Sequence, residues 1–135
     1  MSQPINHERM LERFVRYARV DTTAGDPAKG YPSSAGQLEL GRMLVAELHA
    51  AGLLDAVQDE HGIVLATLAA NVRNGAPTIA FNAHLDTSPE TTGAGVQPQV
   101  WRDYDGRDIV LPGDPRQVIR VSSSPELPSL AGRTI

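Results

Sequence analysis

The sequence predicts an α/β fold in which a mixed sheet is flanked by helices. Three observations point there. Two segments before Gly52 repeat apolar side chains at helical spacing; three short apolar runs between Ala56 and Ala83 have the length and composition of strands; and Gly or Pro stands at the joints.

Met10, Phe14 and Ala18 lie one helical turn apart with Leu11 and Val15 beside them, which predicts an amphipathic helix capped by Asn6 and ending near Val20. Asp26-Pro27 and Gly30-Tyr31-Pro32 predict a loop, because proline fixes its own φ and biases its predecessor away from the helical region. Ser34 and Gln37 have capping-box spacing for a second helix. Its stripe is Leu40, Met43, Leu44, Leu48 and Ala51, and Gly52 is its stop. Strands are expected at Ala56 to Glu60 and Ile63 to Leu68 around His61-Gly62, and a buried strand at Thr78 to Ala83. Beyond Thr87, Pro and Gly recur every few residues, and a hairpin of Gln99 to Trp101 with Asp108 to Leu111 around Asp105-Gly106 is the regular structure expected there.

A chain of 135 residues fits one domain that hides about two thirds of its unfolded surface. Aromatic residues make up 4%, so the core must rest on Leu, Val, Ile and Ala. Twelve basic against sixteen acidic residues, with no Lys/Arg cluster, argue against nucleic acid as a partner. No run approaches the roughly 20 apolar residues that span a bilayer and no signal-peptide core is visible, so no membrane partner and a cytoplasmic location are expected. Cysteine is absent, which removes disulfides and thiolate chemistry and leaves His and carboxylates as metal ligands.

His84 and Asp86 directly follow the apolar run Thr78 to Phe81, which would set them at the carboxyl end of a strand, where open α/β sheets gather ligand sites. If the chain stays extended through Leu85, both side chains point to one side and Leu85 into packing. A metal-binding imidazole commonly gives its other N–H to a carboxylate, so the pair can serve a metal; taken alone, though, His-x-Asp favours a pair that caps or hydrogen-bonds a strand end, and spacing by itself does not decide. His7, His49 and His61 read as surface residues. Asp55, Asp59 and Glu60 form an acidic patch without the glycine-punctuated spacing of a calcium loop. Ser33-Ser34 and Ser122-Ser123-Ser124 lack the Gly-x-Ser-x-Gly elbow of a nucleophile; the first pair reads as a cap and the second as a loop.

Ala80-Phe81-Asn82-Ala83-His84-Leu85-Asp86-Thr87-Ser88-Pro89-Glu90 resembles the first metal motif of the peptidase T family of zinc aminopeptidases. Val20-Asp21-Thr22, Tyr31-Pro32-Ser33-Ser34 with Gln37, Ala66 to Asn71, and Tyr104-Asp105-Gly106 with Asp108-Ile109 are similar to that family in order and spacing. The resemblance runs from about Glu8 to Ile135. It separates this family from its carboxypeptidase and deacylase relatives, which follow His-x-Asp with a different tail.

The resemblance implies a two-zinc enzyme that removes the N-terminal residue of tripeptides, with His84 as a zinc ligand and Asp86 as the catalytic carboxylate that orients it. It implies that residues 1–135 are the N-terminal, incomplete part of the catalytic domain, and that the other ligands and the glutamate base follow Ile135. Zinc takes four ligands, or three and an open position, so the chain alone is expected neither to retain zinc nor to hydrolyse peptides. The competing expectation is a non-enzymatic folded module, or inert fragment, whose unfinished sheet edge pairs with another copy into a homo-oligomer.

Overall fold

The computed structural model describes residues 5–26, 30–72 and 75–135; Pro27 of the predicted loop lies outside the described residues. The chain divides into two compact units, Met1–Gln97 and Pro98–Ile135.

In the first unit α1 spans His7–Tyr17, with Asn6 extended at its N-cap and the Asn6 side chain accepting the Arg9 amide at 3.0 Å. Its apolar stripe is only partly used. Leu11, Val15 and Ala18 are half-buried, whereas Met10 and Phe14 stay exposed. Arg13 and Tyr17, four residues apart on one face, reach Glu47 of the second helix instead: Arg13 Nε stands 2.7 Å and Tyr17 Oη 2.7 Å from Glu47 Oε2, and Arg16 holds the other carboxylate oxygen.

Helix α2 spans Ala35–Ala50. It ends as predicted, with Gly52 at φ 93° and the Leu53 amide bonded to the Leu48 carbonyl at 3.0 Å, a left-handed turn that glycine adopts without strain. Its start differs from the capping-box expectation. Ser34 occupies the N-cap but its hydroxyl makes no capping bond, and the buried Gln37 turns its amide to Ser33 Oγ at 3.0 Å and to the Thr22 carbonyl at 3.4 Å. A tertiary acceptor has outcompeted the local one.

Strands β1 (Val57–Gln58) and β2 (Val64–Leu65) pair antiparallel, Val57 opposite Leu65, and α2 packs on both. Asp59 closes their turn, its carboxylate accepting the amides of His61 at 3.0 Å and Ile63 at 2.8 Å. The buried strand expected at Thr78 to Ala83 is not formed. Among the described residues nothing pairs with it, and Ile79 and Phe81 are 75% and 97% exposed. A buried strand needs a ladder partner and an apolar layer against each face, and neither is supplied here.

In the second unit β3 (Ile109–Val110) pairs antiparallel with β4 (Val118–Ile119), not with Gln99 to Trp101. Trp101 instead exchanges both backbone hydrogen bonds with Ile135, at 2.9 and 3.0 Å, while Tyr104 bonds Arg133 and Gly132. The hairpin expectation thus kept one strand and missed its partner, because the closing turn forms at Leu111 to Gln117, where the Asp114 amide bonds Leu111 O and Gln117 bonds Asp114 O. Tyr104, Ile109 and Leu127 form the buried cluster, with Trp101, Leu111, Val121, Leu130 and Ile135 against it. Val121–Ser123, read from sequence as part of a loop, is a 3-10 turn. The helices and strands make an α/β chain, but the strands of the described residues form two small antiparallel sheets where one mixed sheet was expected.

Candidate functional site

His84 and Asp86 come together as the sequence spacing suggested. The His84 Nδ1–H donates to the Asp86 carbonyl at 2.7 Å and lies 3.2 Å from Asp86 Oδ1. Both partners accept, so Nδ1 is the nitrogen that carries the proton, and in the neutral imidazole the lone pair is then on Nε2. The His84 side chain is 83% exposed and that of Asp86 49%, while Leu85 between them is half-buried. An outward imidazole with a free Nε2 and an oriented Nδ1–H is the state in which histidine ligates a metal.

What holds this segment is not a strand before it but a knot after it. Thr87 forms a parallel bridge with Thr23: the Thr87 amide donates to Thr22 O at 3.1 Å and the Ala24 amide to Thr87 O at 2.9 Å. Asp21 Oδ1 accepts the Thr23 hydroxyl at 2.6 Å and the Thr23 amide at 3.1 Å. These two bonds, the hydroxyl's first, hold the Asp21 carboxyl below the usual range. Thr23 Oγ1 in turn accepts the Gly93 amide at 2.8 Å. A cavity of about 380 Å³ opens beside the knot, lined by Tyr17, Thr22, Thr87, Thr92 and Gly93 among others.

The other histidines stay apart from this pair. His49 Nε2–H donates to the Ala56 carbonyl at 2.9 Å and so ties the end of α2 to the entry of β1; His61 stands 3.8 Å from Glu60 at the hairpin turn. Asp55 accepts the Thr67 amide at 3.0 Å, so it and Asp59 hold the backbone around β1 and β2. Among the described residues no three His or carboxylate side chains are grouped to hold a metal ion. One exposed imidazole beside one carboxylate does not amount to a zinc site among the described residues.

Sequence reasoning noticed Asp21 and Gly93 only as family text and as loop punctuation. The signal available was local: an Asp two residues before a Thr is the Asx pattern in which the carboxylate takes the backbone amide two positions on.

The fold and the site together describe an α/β segment that carries an exposed histidine hydrogen-bonded to Asp86. The comparisons narrow it. No family model matches the chain. The chain is homologous to proteins named peptidase T: it is 45% identical over 128 residues to that of Geobacillus thermodenitrificans (strain NG80-2), 44% to that of Listeria monocytogenes serotype 4b (strain CLIP80459) and 41% to that of Bacillus thuringiensis (strain Al Hakam). These matches cover 95% of this chain and 31% of each relative.

Proposed function

We propose that this chain is the N-terminal portion of a zinc-dependent aminopeptidase that releases the N-terminal residue of tripeptides, and that its strands belong to a mixed, helix-flanked sheet finished by the rest of that enzyme. The observation that carries this is the His84–Asp86 pair, with Nδ1–H bound at 2.7 Å and Nε2 open, within a segment homologous to peptidase T. In this reading His84 Nε2 is one zinc ligand and Asp86 fixes its tautomer. Zinc, when held by a full ligand set, lowers the pKa of a bound water. No hydrolytic step is assigned to the 135 residues by themselves, because one imidazole is too few ligands. A cytoplasmic location accompanies the proposal; no helix of the described residues is long and apolar enough to cross a membrane.

The test compares this chain with a protein extended by the sequence that follows it in its gene, after dialysis, by metal analysis and a tripeptide hydrolysis assay. The expected outcome is two zinc ions and turnover in the extended protein, neither in the short chain, and loss of both zinc stoichiometry and turnover in the extended His84→Ala variant. An extended protein that hydrolyses tripeptides equally well with His84→Ala would overturn the assignment.

A second reading is favoured by Phe81 at 97% and Ile79 at 75% exposure on an unpaired segment: the chain alone is a non-enzymatic module that self-associates along residues 78–83. Sedimentation velocity across a concentration series reads this directly, and a monomer at every concentration excludes it.

A further inference from the structure

The residues that bear the candidate chemistry follow an unpaired segment, yet the chain immediately after them is fastened at two points. At the first, Thr87 is held through both backbone groups, its N–H donating to Thr22 O and its C=O accepting the Ala24 amide. Six residues on, the Gly93 amide is held by the Thr23 hydroxyl. Both fasteners belong to the short segment after α1, and that segment is itself braced. Thr22 is 3% exposed, and its carbonyl accepts Gln37 of α2 as well as Thr87. The first turn of α2 lies so close that a Cβ on Gly36 would stand 1.7 Å from Asp21 O. A Cβ on Gly93 would come to 2.7 Å from Thr23 Oγ1 and 2.8 Å from Asp21 Oδ1. Neither position accepts a side chain without displacing this segment.

We infer that Asp21, Thr23 and Gly93 form a positioning clamp that sets the backbone at Asp86 and Thr87 and thereby holds His84 as its Nδ1–H tautomer with Nε2 open. The physical link is short. The stronger acceptor of the His84 Nδ1–H is the Asp86 carbonyl at 2.7 Å, not the carboxylate at 3.2 Å. That carbonyl is part of the same peptide group as the Thr87 amide, whose direction is fixed by its bond to Thr22 O at 3.1 Å. Fixing the Thr87 N–H toward Thr22 therefore aims the Asp86 C=O, which lies on the opposite side of a planar trans peptide. Thr23 is the hub because its one hydroxyl donates to Asp21 and accepts from Gly93, as a hydroxyl can and a methyl cannot.

The inference rests on the reading of His84 and Asp86 as the functional pair, but its test reads the tautomer and needs neither metal nor turnover. Failure of the peptidase reading would leave it standing. The experiment is long-range proton–nitrogen NMR of the imidazoles in the 135-residue chain at about pH 8, above the reference imidazole pKa of about 6.5. His84 is expected to show the Nδ1–H form, and His49, bonded through Nε2 to Ala56 O, the opposite form. Thr23→Val and Gly93→Ala are each expected to abolish the His84 preference while His49 keeps its signature, and Thr23→Ser to retain it. A Thr23→Val chain with His49 unchanged and His84 still Nδ1–H overturns the clamp. Should the Thr23→Val chain lose the His49 signature too, amide exchange in the unsubstituted chain decides. Protection at Ala24, Thr87 and Gly93 together supports the clamp, and rapid exchange at Thr87 overturns it.

Discussion

The unit Pro98–Ile135 and the segment 78–86 of the first unit both carry apolar side chains and meet opposite fates. In the former, Trp101 and Tyr104 find backbone partners at Ile135, Gly132 and Arg133, and Tyr104, Ile109 and Leu127 close a buried cluster. In the latter, Ile79 and Phe81 face solvent, and regular pairing begins only at Thr87. The lesson is that apolar character makes a strand only where a ladder partner is within reach. Trp101 and Tyr104 find their partners at residues 132–135, and β3 finds its partner in β4, all within the same unit. For 78–83 the described residues offer none, and the segment carrying the candidate chemistry is held from one end alone.

The largest effect that tests this contrast is expected at Tyr104. Its ring is 4% exposed and its hydroxyl donates to Arg107 O, so Tyr104→Ala removes both packing and a hydrogen bond. A loss of about 3 kcal/mol or more is expected. Trp101, the chain's one tryptophan, packs against this cluster, so its fluorescence follows this unit during denaturation. A midpoint unmoved by Tyr104→Ala would show that the cluster does not carry the unit.

An intermediate effect is expected between the helices. Burial pushes the Glu47 carboxyl upward, but the Tyr17 hydrogen bond and the Arg16 and Arg13 charges outweigh it and hold Glu47 below its ordinary 4.5. Burial first, then Glu47, pushes the Tyr17 hydroxyl above its ordinary 10.0. The signs follow from linkage. Glu47 stabilises the fold fully above pH 4.5, and this is lost as pH falls through its lowered value; Tyr17 contributes below pH 10.0, and this is lost as pH rises through its raised value. Glu47→Gln should cost about 1 kcal/mol near neutrality and flatten the acid limb of a stability-against-pH curve. An acid limb as steep as in the unsubstituted chain would assign the pH dependence to other carboxylates.

Much of the first unit was legible in the sequence. The Asn6 cap, the extent of α2 and its Gly52 stop, and the hairpin around His61-Gly62 all depend on interactions within a few residues, which periodicity and turn chemistry report. The meeting of His84 and Asp86 was legible for the same reason, being a two-residue contact. What failed was what depends on distant partners. Gln37 left its local capping role for Thr22 O, fifteen positions away in sequence. The stripe of α1 turned so that Arg13 and Tyr17 could reach Glu47, leaving Phe14 exposed. The Thr23 to Gly93 bond spans seventy positions. Spacing carries no information at that range, and Asp21 and Thr23 could be read only as a local Asx pattern.

The smallest expected effect makes the sharpest distinction. Phe81, at 97% exposure, has almost no buried apolar area to expose on unfolding, and burial is what converts apolar surface into stability. Phe81→Ser should therefore leave the unfolding midpoint of the dilute chain within about 0.5 kcal/mol of the unsubstituted one. Its effect should appear only where chains meet, as a fall in the sedimentation coefficient at high concentration if residues 78–83 pair between copies. The two readouts separate the alternatives. A drop in dilute stability of more than about 1 kcal/mol would mean that Phe81 is buried within the chain, which would erase the contrast with the Tyr104 cluster. Unchanged stability with reduced association would mean that the apolar run is a strand awaiting its neighbour, and that the neighbour comes from outside these residues.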